Sequence, residues 1–184
     1  MVVMNILVTG CAGFIGSRVC SLLLEQGQKV VGLDNLNDAY DVRLKQWRLR
    51  QLESHPGFHF HNMDISDYST LRSLFAETTT DILPVFECVV NLAARAGVRY
   101  SVENPWVYYQ ANTIGTLNLL ELCRVFDVNK FVLASTSSVY GDHVSRPFKE
   151  NSDTSLPLSP YAASKKAAET LVYTYHHLHG LNAT

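Results

Sequence analysis

The sequence predicts an α/β fold in which a doubly wound parallel sheet carries helices on both faces. Three observations predict it. The chain has 184 residues, of which 47% are hydrophobic and 17% charged, enough for one core but not for two full domains. Short apolar runs alternate with longer segments of helical period, and a glycine-rich turn joins the first run to the first such segment. This alternation implies right-handed crossovers, which place parallel strands side by side.

The first elements form a strand–helix–strand unit. Residues 3–9 have the mainly apolar pattern that is typical of a strand buried on both faces. Residues 14–26 have helical period, and residues 29–34 are a second apolar run that ends in an acid. Residues 40–53 are charged and periodic, which predicts a helix before a third strand over 58–63.

The second part of the chain continues the alternation. Residues 66–76 predict a helix with Ser66 as its N-cap, and residues 86–92 predict a fourth strand. Residues 105–126 predict a long helix, because apolar residues recur at helical spacing: Ile114, Leu117, Leu120, Leu122 and Val125. The remaining segments are predicted to be a fifth strand, a long loop and a last helix, over 130–135, 139–160 and 161–179.

The charge balance and the cysteines exclude several classes of protein. Fifteen Lys and Arg against seventeen Asp and Glu give a net charge of -2, so we expect no nucleic-acid or membrane partner. The cysteines lack paired spacing, and the apolar start has neither a basic leader nor membrane-spanning length. We therefore expect a cytoplasmic protein without a disulfide framework. We also expect no metal site, since the cluster of His176, His177 and His179 is typical of a solvated helix end.

The glycine-rich turn predicts a phosphate-binding loop. In the sequence GCAGFIG, Gly10 permits a tight turn, Gly13 allows the backbone to approach a pyrophosphate, and Gly16 lets the helix lie close to the sheet. Free N–H groups at the start of the helix, around Phe14 and Ile15, attract the phosphates. The spacing differs from the simplest dinucleotide fingerprint, but the strand–turn–helix setting is the required one. The motif predicts a Rossmann-type dinucleotide-binding domain that spans the whole chain, 1–184.

The acid after the second strand predicts the cofactor. Asp34 ends that strand about 20 residues after the glycines, where a carboxylate accepts hydrogen bonds from the ribose hydroxyls of the adenosine. A carboxylate repels a 2'-phosphate, and Asn35 and Leu36 supply no arginine to hold one. We therefore predict NAD rather than NADP. The alternative is a tight turn and a strand-end acid without a ligand.

A second group of residues favours acid–base chemistry. Tyr161 and Lys165 are four residues apart, on one face of the last helix. A tyrosine has a pKa of about 10, so a neighbouring ammonium that favours the phenolate makes it a more useful base. The hydroxyl residues 135–138 leave the fifth strand at its carboxyl end, where they can hydrogen-bond a reacting alcohol. The alternatives are a packed ring with a surface lysine, and hydroxyls that serve turns and caps.

Together these motifs resemble the extended short-chain dehydrogenase/reductase family of NAD-dependent nucleotide-sugar epimerases and dehydratases. Within it, the tracts beginning at Leu33 and Ala93 are most similar to UDP-glucuronate 4-epimerases. The motifs that carry the resemblance extend along the chain: GCAGFIG, LDNLNDAYD, MDI, NLAARAGVRYS, STSSVYG and YAASK. The resemblance implies a sugar oxidised at C4 to a transient ketone and reduced again from its other face, with NAD regenerated in each cycle.

The resemblance also implies the roles of individual residues. Thr136 holds the reacting oxygen, Tyr161 is the base and Lys165 is its partner. Three further side chains are implied to contact a UDP-sugar substrate: Arg99, Ser137 and Ser138. The residues implied to bind NAD are Gly10, Gly13, Phe14, Ile15, Gly16, Asp34, Asn35, Asp64, Ile65, Leu92, Ala93, Ala94, Asn112, Ser135, Tyr161 and Lys165.

Three positions distinguish this chain within the family. The 4,6-dehydratases that resemble it carry an Asp-Glu pair directly after the threonine, whereas this chain has Ser137 and Ser138, which disfavours elimination of water. Arg95 stands where the epimerases commonly have Gln. Arg99 is as well explained by a solvated loop cation as by a substrate contact.

The end of the chain sets an expectation about completeness. By resemblance, family members continue past this point, so we expect the substrate-binding domain and the sixth strand to be missing, with an uncovered sheet edge. The resemblance also implies a homodimer through helices 105–126 and 161–179. The alternatives to an active 4-epimerase are an inactive NAD-binding remnant, one half of a split protein, or another nucleotide-sugar epimerase or decarboxylase of the family.

Overall fold

The computed structural model of the protein describes residues 3–77 and 86–184. In this part of the chain, six strands form one sheet in the order β3-β2-β1-β4-β5-β6, and every neighbouring pair is parallel. The strands are β1 (Asn5–Thr9), β2 (Lys29–Asp34), β3 (Phe58–Asn62), β4 (Cys88–Asn91), β5 (Lys130–Leu133) and β6 (Asn182–Ala183). The predicted doubly wound parallel sheet is confirmed.

The helices connect the strands on both faces of the sheet. They are α1 (Phe14–Glu25), α2 (Val42–Glu53), α3 (Tyr68–Glu77), α4 (Val98–Glu103), α5 (Trp106–Tyr108), α6 (Gly115–Val125) and α7 (Pro160–His179). A π-helical segment (Tyr109–Ile114) joins α5 to α6, and a 3-10 turn (Ser137–Tyr140) follows β5. The predicted helices and strands agree with these elements to within about two residues at most ends.

The strands bury side chains on both sides of the sheet. Along β1, Ile6 and Val8 contribute to one core cluster with α1 and α2, whereas Leu7 contributes to a second cluster with α3, α6 and α7. This alternation is the period of two that a strand imposes. Because both faces of the sheet are covered, the consecutive residues Ile6, Leu7 and Val8 are all apolar.

The prediction of the N-cap of α3 is wrong. The helix begins at Tyr68, and Asp67 caps it: its Oδ1 accepts hydrogen bonds from the backbone N–H groups of Ser69 (3.0 Å) and Thr70 (3.2 Å). Ser66 instead donates its hydroxyl to Asp64. A carboxylate one residue closer to the helix is the better acceptor for free N–H groups at a positive helix end.

The expectation of a missing sixth strand is also wrong. Residues 182 and 183 form β6, which pairs in parallel with β5, and the Leu133 N–H donates to the Thr184 carbonyl oxygen at 2.8 Å. The turn into this strand uses Gly180, which has a φ of +68°. The short helix α4 was not predicted, because six residues are too few to display a helical period.

The long helix differs from its prediction in one respect. Residues 106–125 are helical throughout, but the π-helical segment interrupts the α-helical ladder. The apolar stripe predicted for an unbroken α-helix is therefore only partly buried. Leu120 and Leu122 are fully buried, whereas Ile114 and Val125 are 39% and 43% exposed.

The sheet positions the site at its carboxyl edge. The strand order reverses between β1 and β4, because β2 and β3 lie on one side of β1 and β4, β5 and β6 on the other. Ligands of open α/β sheets bind at this reversal, outside the carboxyl ends of the strands. Within the described residues, no helix is both long enough and apolar enough to cross a membrane.

Candidate functional site

The glycine loop between β1 and α1 is packed so tightly that side chains are excluded. Gly10 has a φ of +69°, and a Cβ on it would lie 2.9 Å from the backbone nitrogen of Ala93. A Cβ on Gly16 would lie 2.0 Å from the carbonyl oxygen of Gly10. The Gly13 N–H donates to that same oxygen at 3.0 Å, which closes the turn. The loop therefore has the form that a phosphate cradle requires.

The start of α1 faces solvent. Phe14 and Ile15 are 80% and 63% exposed, and α1 has no side-chain N-cap. Its first backbone N–H groups are thus left for an anion. The sequence-based prediction for Phe14 and Ile15 therefore concerns their backbone N–H groups, since their side chains lie outside the cavity described next.

The cavity beside the glycine loop brings most of the predicted cofactor residues together. It has a volume of about 370 Å³ and opens at the carboxyl edge of β1, β2, β3 and β4. Nine predicted residues line it: Gly10, Gly13, Asp34, Asn35, Asp64, Ile65, Leu92, Ala93 and Ala94. The other predicted cofactor residues, which are Phe14, Ile15, Gly16, Asn112, Ser135, Tyr161 and Lys165, are not among its lining residues.

Asp34 lies buried at the end of β2, on one wall of the cavity. Its Oδ2 accepts a hydrogen bond from the Ala12 N–H at 3.2 Å, and its Oδ1 accepts one from the Leu36 N–H at 2.9 Å. The carboxylate therefore fastens the glycine loop to the turn after β2. A fixed acceptor in this position can hydrogen-bond a ribose hydroxyl.

Lys45 is a residue of the cavity that the sequence analysis missed. Its Nζ lies 3.2 Å from Asp34 Oδ1 in an ion pair whose side chains are each 6% exposed, and it also donates to Asn37 Oδ1 at 3.2 Å. A signal was available in the sequence. Lys45 shares the buried stripe of α2 with Leu49 and Leu52, at positions i, i+4 and i+7, where a lysine is out of place unless it has a buried partner.

Asp64 joins the turns after β2 and β3. It accepts hydrogen bonds from Asn35 Nδ2 (2.7 Å) and from the Ser66 N–H (2.8 Å) and hydroxyl (2.7 Å). Burial raises the pKa of Asp64, but the hydrogen bonds from Ser66 and Asn35 outweigh it and hold that pKa below its ordinary value. Asp64 is therefore an ionised acceptor on the cavity wall at neutral pH.

A buried polar network holds the strand ends beneath the cavity. The Thr9 hydroxyl donates to Asn91 Oδ1 at 2.7 Å, and Asn91 Nδ2 donates to the Thr116 hydroxyl at 3.0 Å. The Ala93 N–H donates to Thr9 Oγ1 at 3.1 Å, which fixes the backbone of the predicted residues 92–94. These side chains are fully buried, so each needs the partner it has.

Asn112 supports the site from behind instead of lining the cavity. It lies in the π-helical segment and is 1% exposed. Its Oδ1 accepts from the Arg95 N–H (2.8 Å), and its Nδ2 donates to the Arg95 carbonyl (3.1 Å) and to Ser164 Oγ (2.9 Å). Asn112 thus fastens the loop after β4 to the first turns of α7, which carry Tyr161 and Lys165.

The predicted hydroxyl residues leave β5 as an exposed turn. Thr136 is half-buried, and its Oγ1 accepts a hydrogen bond from the Ser138 N–H at 3.2 Å, which caps the 3-10 turn. Ser137 is exposed. The turn packs against α7, so it lies beside the helix that holds Tyr161 and Lys165.

Tyr161 and Lys165 lie one turn apart on α7, as predicted. Ser159 caps the helix by accepting the Ala162 N–H at 3.1 Å, and the Tyr161 ring meets the buried Tyr108 ring edge-on, with the centroids 6.0 Å apart. Lys165 is 3% exposed. Its burial lowers its pKa to about 8, although Glu169 acts in the opposite direction. The ammonium is consequently far easier to deprotonate than an ordinary lysine.

Ser135 faces α7. Its hydroxyl donates to Glu169 Oε1 at 2.5 Å, and Lys166 Nζ lies 3.1 Å from Glu169 Oε2. Lys166 also donates to the Thr154 hydroxyl, which connects the loop before α7 to the same cluster. Ser135 therefore has a structural partner in addition to its predicted role with NAD.

The two arginines that follow β4 differ in position. Arg95 lines the cavity, and its guanidinium lies 5.4 Å from the centre of the Tyr100 ring. Arg99 is exposed in α4 and is not among the lining residues. The described residues contain no group of three or more His, Cys, Asp or Glu side chains that could hold a metal ion.

The arrangement fits a dinucleotide. The glycine loop excludes side chains and so presents bare backbone, the start of α1 offers N–H groups to phosphates, and Asp34 and Asp64 offer acceptors to hydroxyl or amino groups. The phenol of Tyr161, with the buried amine of Lys165 on the same helix, can exchange a proton with an alcohol. The edge of the sheet thus brings together groups that can hold a nucleotide and groups that can exchange a proton.

The sequence matches the family described as GDP-mannose 4,6 dehydratase over residues 7–184. It is also 56% identical over 176 residues to a UDP-glucuronate 4-epimerase of Thermodesulfobacterium geofontis, a match that covers 96% of this chain and 52% of that protein. Identity to UDP-glucuronate 4-epimerase 2 of Arabidopsis thaliana is 45% over 181 residues, which are 98% of this chain and 40% of that one. The chain spans about half the length of the curated relatives it matches, or less.

Solved structures share the fold. The structure of UDP-glucuronic acid 4-epimerase from Bacillus cereus, in complex with UDP-glucuronic acid and NAD, superposes with a TM-score of 0.87 at 36% identity and covers 98% of this chain and 55% of that one. The UDP-Glc/GlcNAc 4-epimerase of Campylobacter jejuni gives a TM-score of 0.86 at 30% identity, with 98% and 51% covered.

Proposed function

The chain belongs to the GDP-mannose 4,6 dehydratase family, and on that premise we propose that it is the NAD-binding and catalytic part of a nucleotide-sugar 4-epimerase. The substrate that we propose is UDP-glucuronate, converted to UDP-galacturonate through a 4-keto intermediate. The relatives with the epimerase name, and the neighbour with UDP-glucuronic acid and NAD in its structure, support this choice.

One observation carries the proposal. The cavity walled by Asp34 and Asp64 opens at the carboxyl edge of the sheet, and Tyr161 and Lys165 stand on the helix that packs on the turn after β5, at that same edge. A cofactor and an acid–base pair are needed together for reversible oxidation of an alcohol, and neither feature alone would indicate it. When bound, NAD supplies the acceptor and donor of a hydride.

Each of these residues would have a separate role in binding NAD or in transferring the proton. The glycine loop and the start of α1 would hold the diphosphate of NAD, and Asp34 and Asp64 would orient its adenosine. Thr136 would hold the 4-oxygen of the sugar by a hydrogen bond, and Tyr161 would take and return the proton of the 4-hydroxyl. Lys165 would favour the phenolate of Tyr161 through its charge, and Asn112 would keep α7 and the loop after β4 in register.

An epimerase is favoured over a dehydratase by the residues after Thr136. Elimination of water requires an additional acid and base, whereas Ser137 and Ser138 offer hydroxyls with pKa values far outside the useful range. The Ser138 N–H is already engaged in capping the turn. The family name therefore does not extend to dehydratase chemistry here.

The first experiment is calorimetric titration of NAD into the purified chain, followed by UDP-glucuronate. Gly13→Asp places a carboxylate in the phosphate cradle, and Gly57→Asp is the matched control outside the cavity. Saturable NAD binding that Gly13→Asp abolishes and Gly57→Asp retains, followed by a sugar-nucleotide signal, is the expected result. A folded chain that does not bind NAD would overturn the cofactor assignment.

The same experiment separates the alternatives. NAD binding without any response to UDP-glucuronate would favour an inactive remnant or half of a split protein, and adding a chain that carries the second half of a relative would restore turnover only for a split protein. Where a sugar response appears, conversion is followed by proton NMR of the anomeric signals. Tyr161→Phe should remove that conversion and leave the NAD affinity within a few-fold of its original value.

A further inference from the structure

We propose that Lys45 is a cofactor-specificity residue: Lys45 donates a hydrogen bond to one hydroxyl of the adenosine ribose, while Asp34 accepts one from the other hydroxyl. This inference rests on the proposed binding of NAD. It differs from the arrangement expected from sequence, in which the carboxylate of Asp34 alone accepts hydrogen bonds from both hydroxyls.

The hydrogen bonds of Asp34 leave it too few acceptor positions for two hydroxyls. A carboxylate has about four lone-pair sites, two on each oxygen. Oδ1 already accepts from the Leu36 N–H (2.9 Å) and from Lys45 Nζ (3.2 Å). Oδ2 accepts from the Ala12 N–H (3.2 Å). One site on Oδ2 is left, so Asp34 can accept one ribose hydroxyl.

The hydrogen bonds of Lys45 leave it a complementary donor. An ammonium has three N–H groups. Asp34 Oδ1 and Asn37 Oδ1 take two of them, both at 3.2 Å. The third has no hydrogen-bonding oxygen or nitrogen among the residues that the structure describes; Lys45 lines the cavity, and its Nζ lies 5.3 Å from the centre of the Tyr40 ring on the same wall.

A ribose diol matches this pair of groups, because one hydroxyl can donate to Asp34 while its neighbour accepts from Lys45. Both side chains are 6% exposed, so water does not readily replace a hydroxyl that is absent. The pair is also held in place, since Asp34 is fastened to the glycine loop and Lys45 to Asn37. A missing hydroxyl therefore leaves a buried donor or acceptor without its partner.

The hydrogen-bonding positions left free on Asp34 and Lys45 also change the reason for which the site should prefer NAD to NADP. Lys45 neutralises the charge of Asp34, so simple repulsion of a 2'-phosphate is weaker than the sequence suggested. A phosphate offers only acceptor oxygens, however, and the remaining site on Asp34 is also an acceptor. The preference for NAD then requires that Asp34 accept the 2'-hydroxyl and that Lys45 donate to the 3'-hydroxyl, because a 2'-phosphate beside the ammonium of Lys45 would be attracted to it.

The test is calorimetric titration of NAD, 2'-deoxy-NAD and 3'-deoxy-NAD into the wild-type chain and into Lys45→Met. Methionine keeps the apolar stem that packs in α2 and removes the donor. We expect the wild-type chain to bind each deoxy analogue about tenfold more weakly than NAD. In Lys45→Met the penalty for one analogue should disappear and the penalty for the other should remain. Lys29→Met, which changes an exposed lysine at the start of β2, should retain both penalties.

Both penalties persisting in Lys45→Met would mean that Asp34 reads both hydroxyls, and the inference would be overturned. Both disappearing would overturn it too, since Lys45 would then shape the whole site instead of reading one hydroxyl. Should Lys45→Met fail to fold because Asp34 is left buried and unpaired, the test compares the single variant Asp34→Asn with the double variant Asp34→Asn, Lys45→Met. The penalty for one deoxy analogue should again disappear when Lys45 is replaced. A wild-type chain that does not bind NAD would instead contradict the proposed function.

Discussion

The glycine loop and the proposed catalytic edge, which is the turn after β5 together with the first turns of α7, are held in place by different kinds of contact. At the glycine loop, backbone packs on backbone: a Cβ on Gly16 would come within 2.0 Å of the Gly10 carbonyl oxygen. At the proposed catalytic edge, side chains on a helix and a short turn provide the geometry, as with Lys165 and Thr136. The comparison teaches that the first region is fixed by the fold itself, whereas the second can be altered one side chain at a time.

The largest effect is expected from Gly16→Ala. The added Cβ would overlap the Gly10 carbonyl, so the loop must move and the free energy of unfolding should fall by about 4 kcal/mol, with loss of NAD binding. Gly57→Ala is the control, because its nearest contact is an ordinary 3.4 Å. Urea unfolding measures both variants, and equal stability in the two would show that the glycine loop is less rigid than its contacts indicate.

The next effect depends on pH and concerns Lys165. Its folded pKa of about 8 lies below the ordinary value of 10.5, so above pH 8 the unfolded chain holds more protons than the folded one. Stability should therefore rise with pH between about 8 and 10.5, relative to Lys165→Met, by about 1 kcal/mol per pH unit.

Urea unfolding of the wild-type chain and Lys165→Met at pH 7.5, 8.5 and 9.5 measures this difference. Lys149→Met, at an exposed position, should follow the wild-type pH dependence. Parallel profiles for the wild-type chain and Lys165→Met would mean that Lys165 titrates at its ordinary value when folded.

A smaller effect is expected beneath the cavity, from Asn91→Ala. The change removes the acceptor of the Thr9 hydroxyl and the donor to Thr116, so the free energy of unfolding should fall by about 2 kcal/mol. Asn62→Ala, at the exposed carboxyl end of β3, should change it little. Thermal and urea unfolding compare the two, and an equal loss in both would argue against the buried network as the cause.

The smallest effect is expected from the ion pair between Lys166 and Glu169 on α7. Lys166 and Glu169 are 3.1 Å apart with side chains about one third exposed. A double-mutant cycle of Lys166→Met and Glu169→Gln should give a coupling of about 0–1 kcal/mol. A coupling of several kcal/mol would mean that the proposed catalytic edge is held as firmly as the glycine loop, and the contrast between the two regions would be lost.

The same contrast explains how much could be predicted from sequence. The parallel sheet, the glycine loop and Asp34 follow from local patterns, since a strand, a turn and a helix are consecutive in the chain. The partners of Asn112 and Thr9 could not be predicted, because Arg95, Ser164 and Asn91 meet them through tertiary packing. Lys45 lies between these cases: its place on the apolar stripe of α2 was visible, but its partner was not.

The π-helical segment in the long helix has a consequence for changes in chain length. An α-helix turns by about 100° per residue, and a π-helical turn holds one residue more than an α-helical turn. Deleting a single residue within Tyr109–Ile114 would let the hydrogen bonds of this segment return to the α-helical pattern. The residues before the deletion would then rotate about the helix axis relative to α6, and Tyr108 would turn away from the Tyr161 ring. The number of residues in the π-helical segment thus determines which side chain of the long helix contacts Tyr161.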